Sequence, residues 1–180
     1  MTSTDHQWFH DEGFWERFAP IMFDEDRWAE VPAVAEGIAA FIGRPFGDGK
    51  PVRAADLCCG LGRVSVELAL RGWDVTGVDI TPAYLAAAEE SAAAASVSLE
   101  LVRDDVRHFV RPASFDVALN LYTSFGYFDD PADDLLFARN VLASLRPGGS
   151  FIIETLGKEI AVRDYTDGEW FDRGGYTVLT

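Results

Sequence analysis

Five short apolar runs, each ended by an acidic, polar or glycine-bearing stop and most of them followed by a helical segment, set the fold of this chain. The first, Val52 to Cys58, leads through Asp56-Leu-Cys-Cys to Gly60-Leu-Gly62. The second, Trp73 to Val78, ends at Asp79, and the third, Val97 to Val102, at Asp104-Asp105. Phe115 to Leu121 is the fourth and Ser150 to Thr155 the fifth. Between them, Arg63 to Leu70 has a helical period and stops at Gly72. Thr81 reads as the cap of a helix with Pro82 in its first turn, running through an Ala-rich stretch to about Ser96. Asp130 reads as the cap of another, opened by Pro131 and ended near Leu145, before Pro147-Gly148-Gly149. Strands alternating with helices at these lengths predict an α/β fold with a mostly parallel sheet covered on both faces.

The flanks are different. Residues 5–23 carry Trp8, Phe9, Phe14, Trp15, Phe18, Ile21 and Phe23 among charges, which predicts one or two short amphipathic helices. A further helix is expected from Asp24 to Ile42, with Pro32 beginning or kinking it. Gly43 to Pro51 reads as a loop. Past Thr155, Lys158 to Arg163 reads as a short helix, Trp170 to Gly175 as a turn and Tyr176 to Leu179 as a strand.

Composition narrows the function. The chain has 180 residues, enough for one domain with a real core, and a formal net charge of -15. Such an acidic domain repels a phosphate backbone and an anionic lipid surface, so no nucleic acid and no membrane partner is expected. The two cysteines, Cys58 and Cys59, are adjacent and poorly placed for a disulfide. With the three histidines they lack zinc-ligand spacing, so no metal is expected. No apolar run spans a bilayer, the N-terminus has no signal-peptide core, and the reading is cytoplasmic.

The chemistry lies at the strand ends. Gly60 and Gly62 let the backbone approach a ligand, and the helix that follows offers free N–H groups to an anion. A dinucleotide fingerprint needs a third glycine where Ser65 stands. Asp56, just ahead of the glycines, suits an ammonium group better than a pyrophosphate. Asp79 can accept from both hydroxyls of a ribose. Asp105, with the adjacent backbone N–H of Val106, can read an adenine edge, with Asp104 competing for that role. In an open α/β sheet these strand ends share one side. Amino acid, ribose and adenine in that order are the parts of S-adenosylmethionine.

The segments Asp56-Leu-Cys-Cys-Gly-Leu-Gly-Arg63, Val75-Thr-Gly-Val-Asp79-Ile-Thr-Pro82, Asp104-Asp105-Val106-Arg107, Asn120-Leu-Tyr-Thr-Ser-Phe-Gly-Tyr-Phe128 and Leu145-Arg-Pro-Gly-Gly-Ser-Phe-Ile-Ile-Glu154 occur in this order. Together they resemble the motifs of class I S-adenosylmethionine-dependent methyltransferases of small-molecule type. The resemblance implies a Rossmann-like three-layer α/β/α sandwich, with S-adenosyl-L-methionine as cofactor. It implies cofactor contacts from Asp56, Cys58, Cys59, Gly60, Gly62, Arg63, Asp79, Ile80, Asp105, Val106, Asn120 and Leu121. It also implies three regions: an N-terminal helical lid over 1–50, a cofactor-binding core over 51–156, and the start of a substrate-side segment over 157–180. Cys58 stands where the motif more often has glycine. The family's sheet has seven strands, the last antiparallel, so the chain reads as a fragment or a shortened form whose edge a partner completes. A homodimer is one such arrangement.

Tyr122, Phe125, Tyr127 and Glu154 are the candidate substrate contacts, and Tyr122 and Glu154 the candidate bases. Each has a plainer reading, as packing aromatics or a solvated strand-end carboxylate. His108 reads as a surface residue and the cysteines as packing. The expected reaction is in-line transfer of a methyl group to an N or O nucleophile of a small molecule. An NAD-dependent oxidoreductase and a non-catalytic S-adenosylmethionine-binding module are the alternatives.

Overall fold

The computed structural model describes residues 7–44, 51–173 and 175–179. The first six residues and most of the Gly43–Pro51 loop lie outside it. After a 3-10 turn at Trp8–His10 come α1 (Glu12–Met22), α2 (Glu25–Ala29) and α3 (Val31–Phe41). The single helix expected over 24–42 is thus two, divided at Glu30, with Pro32 in the first turn of the second. Proline lacks the N–H that an interior position needs, so it begins a helix there.

The core follows the apolar runs: β1 (Arg53–Leu57), α4 (Arg63–Leu70), β2 (Asp74–Asp79), α5 (Pro82–Ala94), β3 (Glu100–Arg103), β4 (Phe115–Asn120), α6 (Pro131–Ser144) and β5 (Leu145–Ile153), with strand and helix alternating except between β3 and β4, which turns alone connect. Asp130 caps α6, its side chain accepting the Ala132 N–H. Thr81 makes no side-chain cap bond at α5; its own N–H goes to Asp79 instead. The five strands are parallel in the order β3-β2-β1-β4-β5. One face packs Val31, Ala35 and Ile38 of α3 and Val64 and Leu68 of α4 against Ala54, Val75, Val117 and Leu119. The other packs Phe137 and Val141 of α6 and Phe109 against Ala55, Leu57, Val78 and Ala118. This is the three-layer α/β/α arrangement.

β5 starts earlier than its apolar run. Leu145 pairs with Phe115, but the next partners are Ser150 and Val117. Arg146 to Gly149 bulge out between them, with Gly148 at φ +82°. Beyond β5 lie α7 (Lys158–Arg163), β6 (Trp170–Arg173) and β7 (Tyr176–Leu179). The turn expected over 170–175 is mostly strand, because β6 pairs antiparallel with β7, Arg173 opposite Tyr176. The pair of glycines at 174 and 175 was the available hairpin signal. β3 and β5 are the sheet edges, and Leu142 of α6 and Ile153 of β5 are exposed. No helix among the described residues is long and apolar enough to cross a membrane.

Candidate active site

The strand order reverses between β1 and β4, so the loops leaving these strands diverge and open a crevice at their C-terminal ends. A cavity of about 380 Å³ lies there. Asp56, Cys58, Cys59, Gly60 and Arg63 line it from the first loop, Asp79 and Ile80 from the second, Asp104, Asp105 and Val106 from the third, and Leu121, Tyr122 and Tyr127 from the fourth.

The glycine loop is fixed by its neighbours. Gly60 and Gly62 adopt φ +54° and +73°. A Cβ at Gly62 would sit 2.8 Å from the Ala88 Cβ, and one at Gly60 3.1 Å from the Phe23 ring. Cys58 is also left-handed, at φ +62°, which explains why glycine is at home in this place. The carboxylate of Asp79 accepts the Gly60 N–H at 2.8 Å through Oδ2 and the Thr81 N–H at 2.9 Å through Oδ1. Each oxygen keeps one lone pair for a ligand. Burial raises the Asp79 pKa, against the pull of these backbone donors.

Asp56 is buried, and its Oδ2 accepts the Ser65 hydroxyl at 2.6 Å. Burial pushes its pKa up to about 6, with Asp79 adding to the rise and Ser65 and Arg63 opposing it. Asp105 differs. Burial acts to raise it, but Arg107 donates to both its oxygens at 2.6–3.1 Å and holds it below the usual carboxylate range. Arg107 is itself shared with Asp133 at 2.8 Å. Asp104 accepts the Asp105 N–H at 2.8 Å. Burial pushes both cysteine thiols well up, so they are poor nucleophiles.

Four candidates line no wall of the cavity. Gly62 packs on Ala88. Asn120 is buried beneath the site, its Nδ2 donating to the Leu57 carbonyl at 2.9 Å and tying β4 to β1. Phe125 packs on Phe137, ring centroids 5.6 Å apart. Glu154 is exposed and braces the post-β4 turn: its Oε2 accepts the Tyr122 N–H at 3.1 Å and its carbonyl the Thr123 N–H at 3.2 Å. That turn is strained, with Tyr122 and Thr123 at φ +56° and +61°. Tyr122 does line the cavity, and burial raises its phenol pKa, so it stays protonated.

The N-terminal segment supplies walls that strand-end reasoning does not assign. Phe9, Trp15, Ile21, Met22, Phe23 and Arg27 line the cavity, as do Tyr84 from α5 and Arg173 from β6. Trp15 stacks on Tyr127, centroids 6.1 Å apart at 15°, and the Tyr84 hydroxyl donates to the Trp15 carbonyl at 2.6 Å. The density of aromatics in residues 8–23 was the only signal in the sequence.

A parallel sheet with acids at three strand ends, around a glycine loop, defines the class I S-adenosylmethionine-dependent methyltransferase type. A family model described as a methyltransferase domain matches residues 54–149, just over half of the chain. The chain belongs to the methyltransferase-domain family. A ubiquinone biosynthesis O-methyltransferase of Methylobacterium nodulans is 34% identical over 104 residues, 57% of this chain and 40% of that protein. Ribosomal RNA small subunit methyltransferase C of Alcanivorax borkumensis is 47% identical over 45 residues, 25% of this chain and 14% of that protein. The structure of S-adenosylmethionine-bound CalS10, an amino pentose methyltransferase from Micromonospora echinaspora, superposes with a TM-score of 0.65 at 25% identity, over 92% of this chain and 66% of that one. The chain spans 40–44% of the length of the first curated relatives it matches. The oxidoreductase reading finds no support in these likenesses.

Proposed function

We propose that this chain transfers a methyl group from S-adenosylmethionine to an N or O nucleophile of a small molecule. The carrying observation is that Asp56, Asp79, Asp104 and Asp105 converge with Gly60 on one cavity. The glycine positions fit the cofactor: left-handed backbone at Gly60 and Gly62 and close packing on Phe23 and Ala88 leave no room for side chains, so at Gly60 the backbone itself borders the cavity. When bound, the cofactor supplies an activated methyl on a sulfonium for in-line displacement.

The chain's own residues bind, orient and exclude water. Asp56 holds an ammonium group, and the remaining lone pairs of Asp79 take ribose hydroxyls. Asp105 and Val106 serve the adenine end; Arg107 already uses both oxygens of Asp105, so neighbouring Asp104 shares this role. Phe9, Trp15, Phe23, Tyr127 and Phe128 form a lid from the N-terminal segment and the post-β4 loop, and keep water from the reacting atoms. Tyr122, protonated, donates a hydrogen bond rather than accepting a proton. Glu154 positions Tyr122 through its backbone. With neither Tyr122 nor Glu154 placed as a base, catalysis rests on orienting an acceptor that is itself nucleophilic.

The net charge of -15 supports a small acceptor over RNA or DNA. The β5 edge, unpaired among the described residues, is where a second copy of the chain would dock, and sedimentation velocity reads whether the chain dimerises. The test of function is calorimetric titration of the 180-residue chain with S-adenosylmethionine and S-adenosylhomocysteine, with NAD as control. Binding of the first two and not NAD is expected. Binding of NAD alone overturns the assignment. Methyl transfer is then followed with labelled cofactor against catechols, amino sugars and ribosomal RNA, where labelling of RNA alone refutes the small-molecule acceptor.

A further inference from the structure

Arg63 opens α4, is 5% exposed and lines the cavity. A guanidinium carries five N–H donors and keeps its charge throughout the physiological range. One donor, on Nη1, reaches the Arg27 carbonyl. The rings of Tyr122 and Phe23 lie 4.5 and 5.2 Å from its Cζ. Among the described residues no carboxylate lies within ion-pair distance of it. The other two arginines of the cavity are paired: Arg27 with Glu30 at 3.3 Å and Arg173 with Asp24 at 3.2 Å. Asp56 acts on it only at longer range; a buried charge with no direct ion pair is unfavourable, and two aromatic rings, one carbonyl and that distant carboxylate offset this only in part. A fork of donors held rigidly between Tyr122 and Phe23 matches a carboxylate or another small oxyanion.

We propose that Arg63 is the anion anchor of this cavity, holding an oxyanion of the bound ligand beside Tyr122 and Phe23. The inference rests on the methyltransferase reading. Two ligands present such a group: the amino-acid end of the cofactor, or an acidic acceptor. With Asp56 on the same loop, the first source makes the pair a reader of a zwitterion; the second makes the acceptor an acid with an apolar body.

The test compares S-adenosylhomocysteine with 5′-methylthioadenosine, which keeps the nucleoside and the thioether but lacks the amino-acid part. It also compares 3,4-dihydroxybenzoate with 4-methylcatechol on the chain saturated with S-adenosylhomocysteine. Calorimetry is run on the wild type, Arg63→Gln and Arg63→Lys; the lysine variant keeps the charge and a donor for the Arg27 carbonyl should the glutamine variant fail to fold. Arg63→Gln is expected to lower affinity for S-adenosylhomocysteine, or for dihydroxybenzoate, about tenfold or more. Affinity for 5′-methylthioadenosine and methylcatechol should stay within about twofold, with partial recovery in the lysine variant. Loss confined to S-adenosylhomocysteine assigns the anion to the cofactor, and loss confined to dihydroxybenzoate assigns it to the acceptor. Equal losses for the charged and uncharged member of each pair, or no loss for any, overturn the proposal and leave Arg63 a packing residue. Failure of the wild type to bind either nucleoside removes the cofactor reading itself, and this inference with it.

Discussion

The carboxylate of Asp79 accepts the backbone N–H of Gly60 at 2.8 Å, so the end of β2 fixes the loop that leaves β1. This bond spans 19 residues of sequence and couples the glycine turn to the acid proposed for the ribose. Asp79→Asn offers one acceptor oxygen where the carboxylate offers two, and Asp79→Ala none. Alanine is expected to weaken S-adenosylmethionine binding at least tenfold and to cost about 1–3 kcal/mol of stability, because Gly60 and Thr81 lose their acceptor. Calorimetry and urea denaturation separate the two effects. Unchanged binding would sink the ribose assignment.

Asp56 makes the site pH-dependent. Its folded pKa, about 6, lies above the ordinary value of 3.8. The folded chain therefore holds the proton more tightly. This group's contribution to stability is fully present below about pH 4 and is lost as pH rises through about 6, a change of about 3 kcal/mol for two pKa units. An ammonium group favours the ionised form, so affinity for S-adenosylhomocysteine should climb as pH rises toward 6 and level off above it. Dissociation constants between pH 5 and 8 measure this. Asp56→Asn should flatten the profile and stabilise the ligand-free chain at pH 8.

Cys58 sits at φ +62°, where a side chain costs about 1–2 kcal/mol. Replacement by glycine removes that strain against an entropic penalty of about 0.5–1 kcal/mol. Cys58→Gly is expected to be neutral or stabilising by up to about 1 kcal/mol, whereas Cys58→Val should destabilise. Shifts in urea midpoint decide it. The raised thiols should also resist iodoacetamide at pH 7.5 until the chain unfolds.

Glu154 separates a brace from a base. Glu154→Gln keeps an oxygen to accept the Tyr122 N–H but cannot take a proton. Near-wild-type turnover is expected for it, with a clear loss for Glu154→Ala as the Tyr122–Thr123 turn relaxes. A glutamine variant as inactive as the alanine variant would restore Glu154 as the base.

What the sequence conveys and what it leaves open depend on the range of each contact. The five strands, the helices between them and the acids at Asp56, Asp79 and Asp104-Asp105 announce themselves through periodicity, glycine and proline stops and capping residues, all effects within a few residues of chain. The parallel sheet follows from the same alternation. Trp170 to Arg173 carry no strand pattern of their own, three of the four being exposed; their pairing with Tyr176 to Leu179 makes them a strand.

The sequence by itself determined the α/β layering and brought a glycine loop and three acidic strand ends to one side of a sheet, since parallel strands point their C-termini the same way. Only the tertiary structure decided how each charge is compensated. Ser65 reaches Asp56, Arg107 takes Asp105, Glu154 turns to the Tyr122 backbone, and Arg63 is left among rings. It also decided that Trp15 and Phe23, more than 30 residues ahead of the glycine loop, form walls of the same cavity. Packing sets these choices: which side chains share a buried volume depends on how layers meet, and no local spacing encodes that.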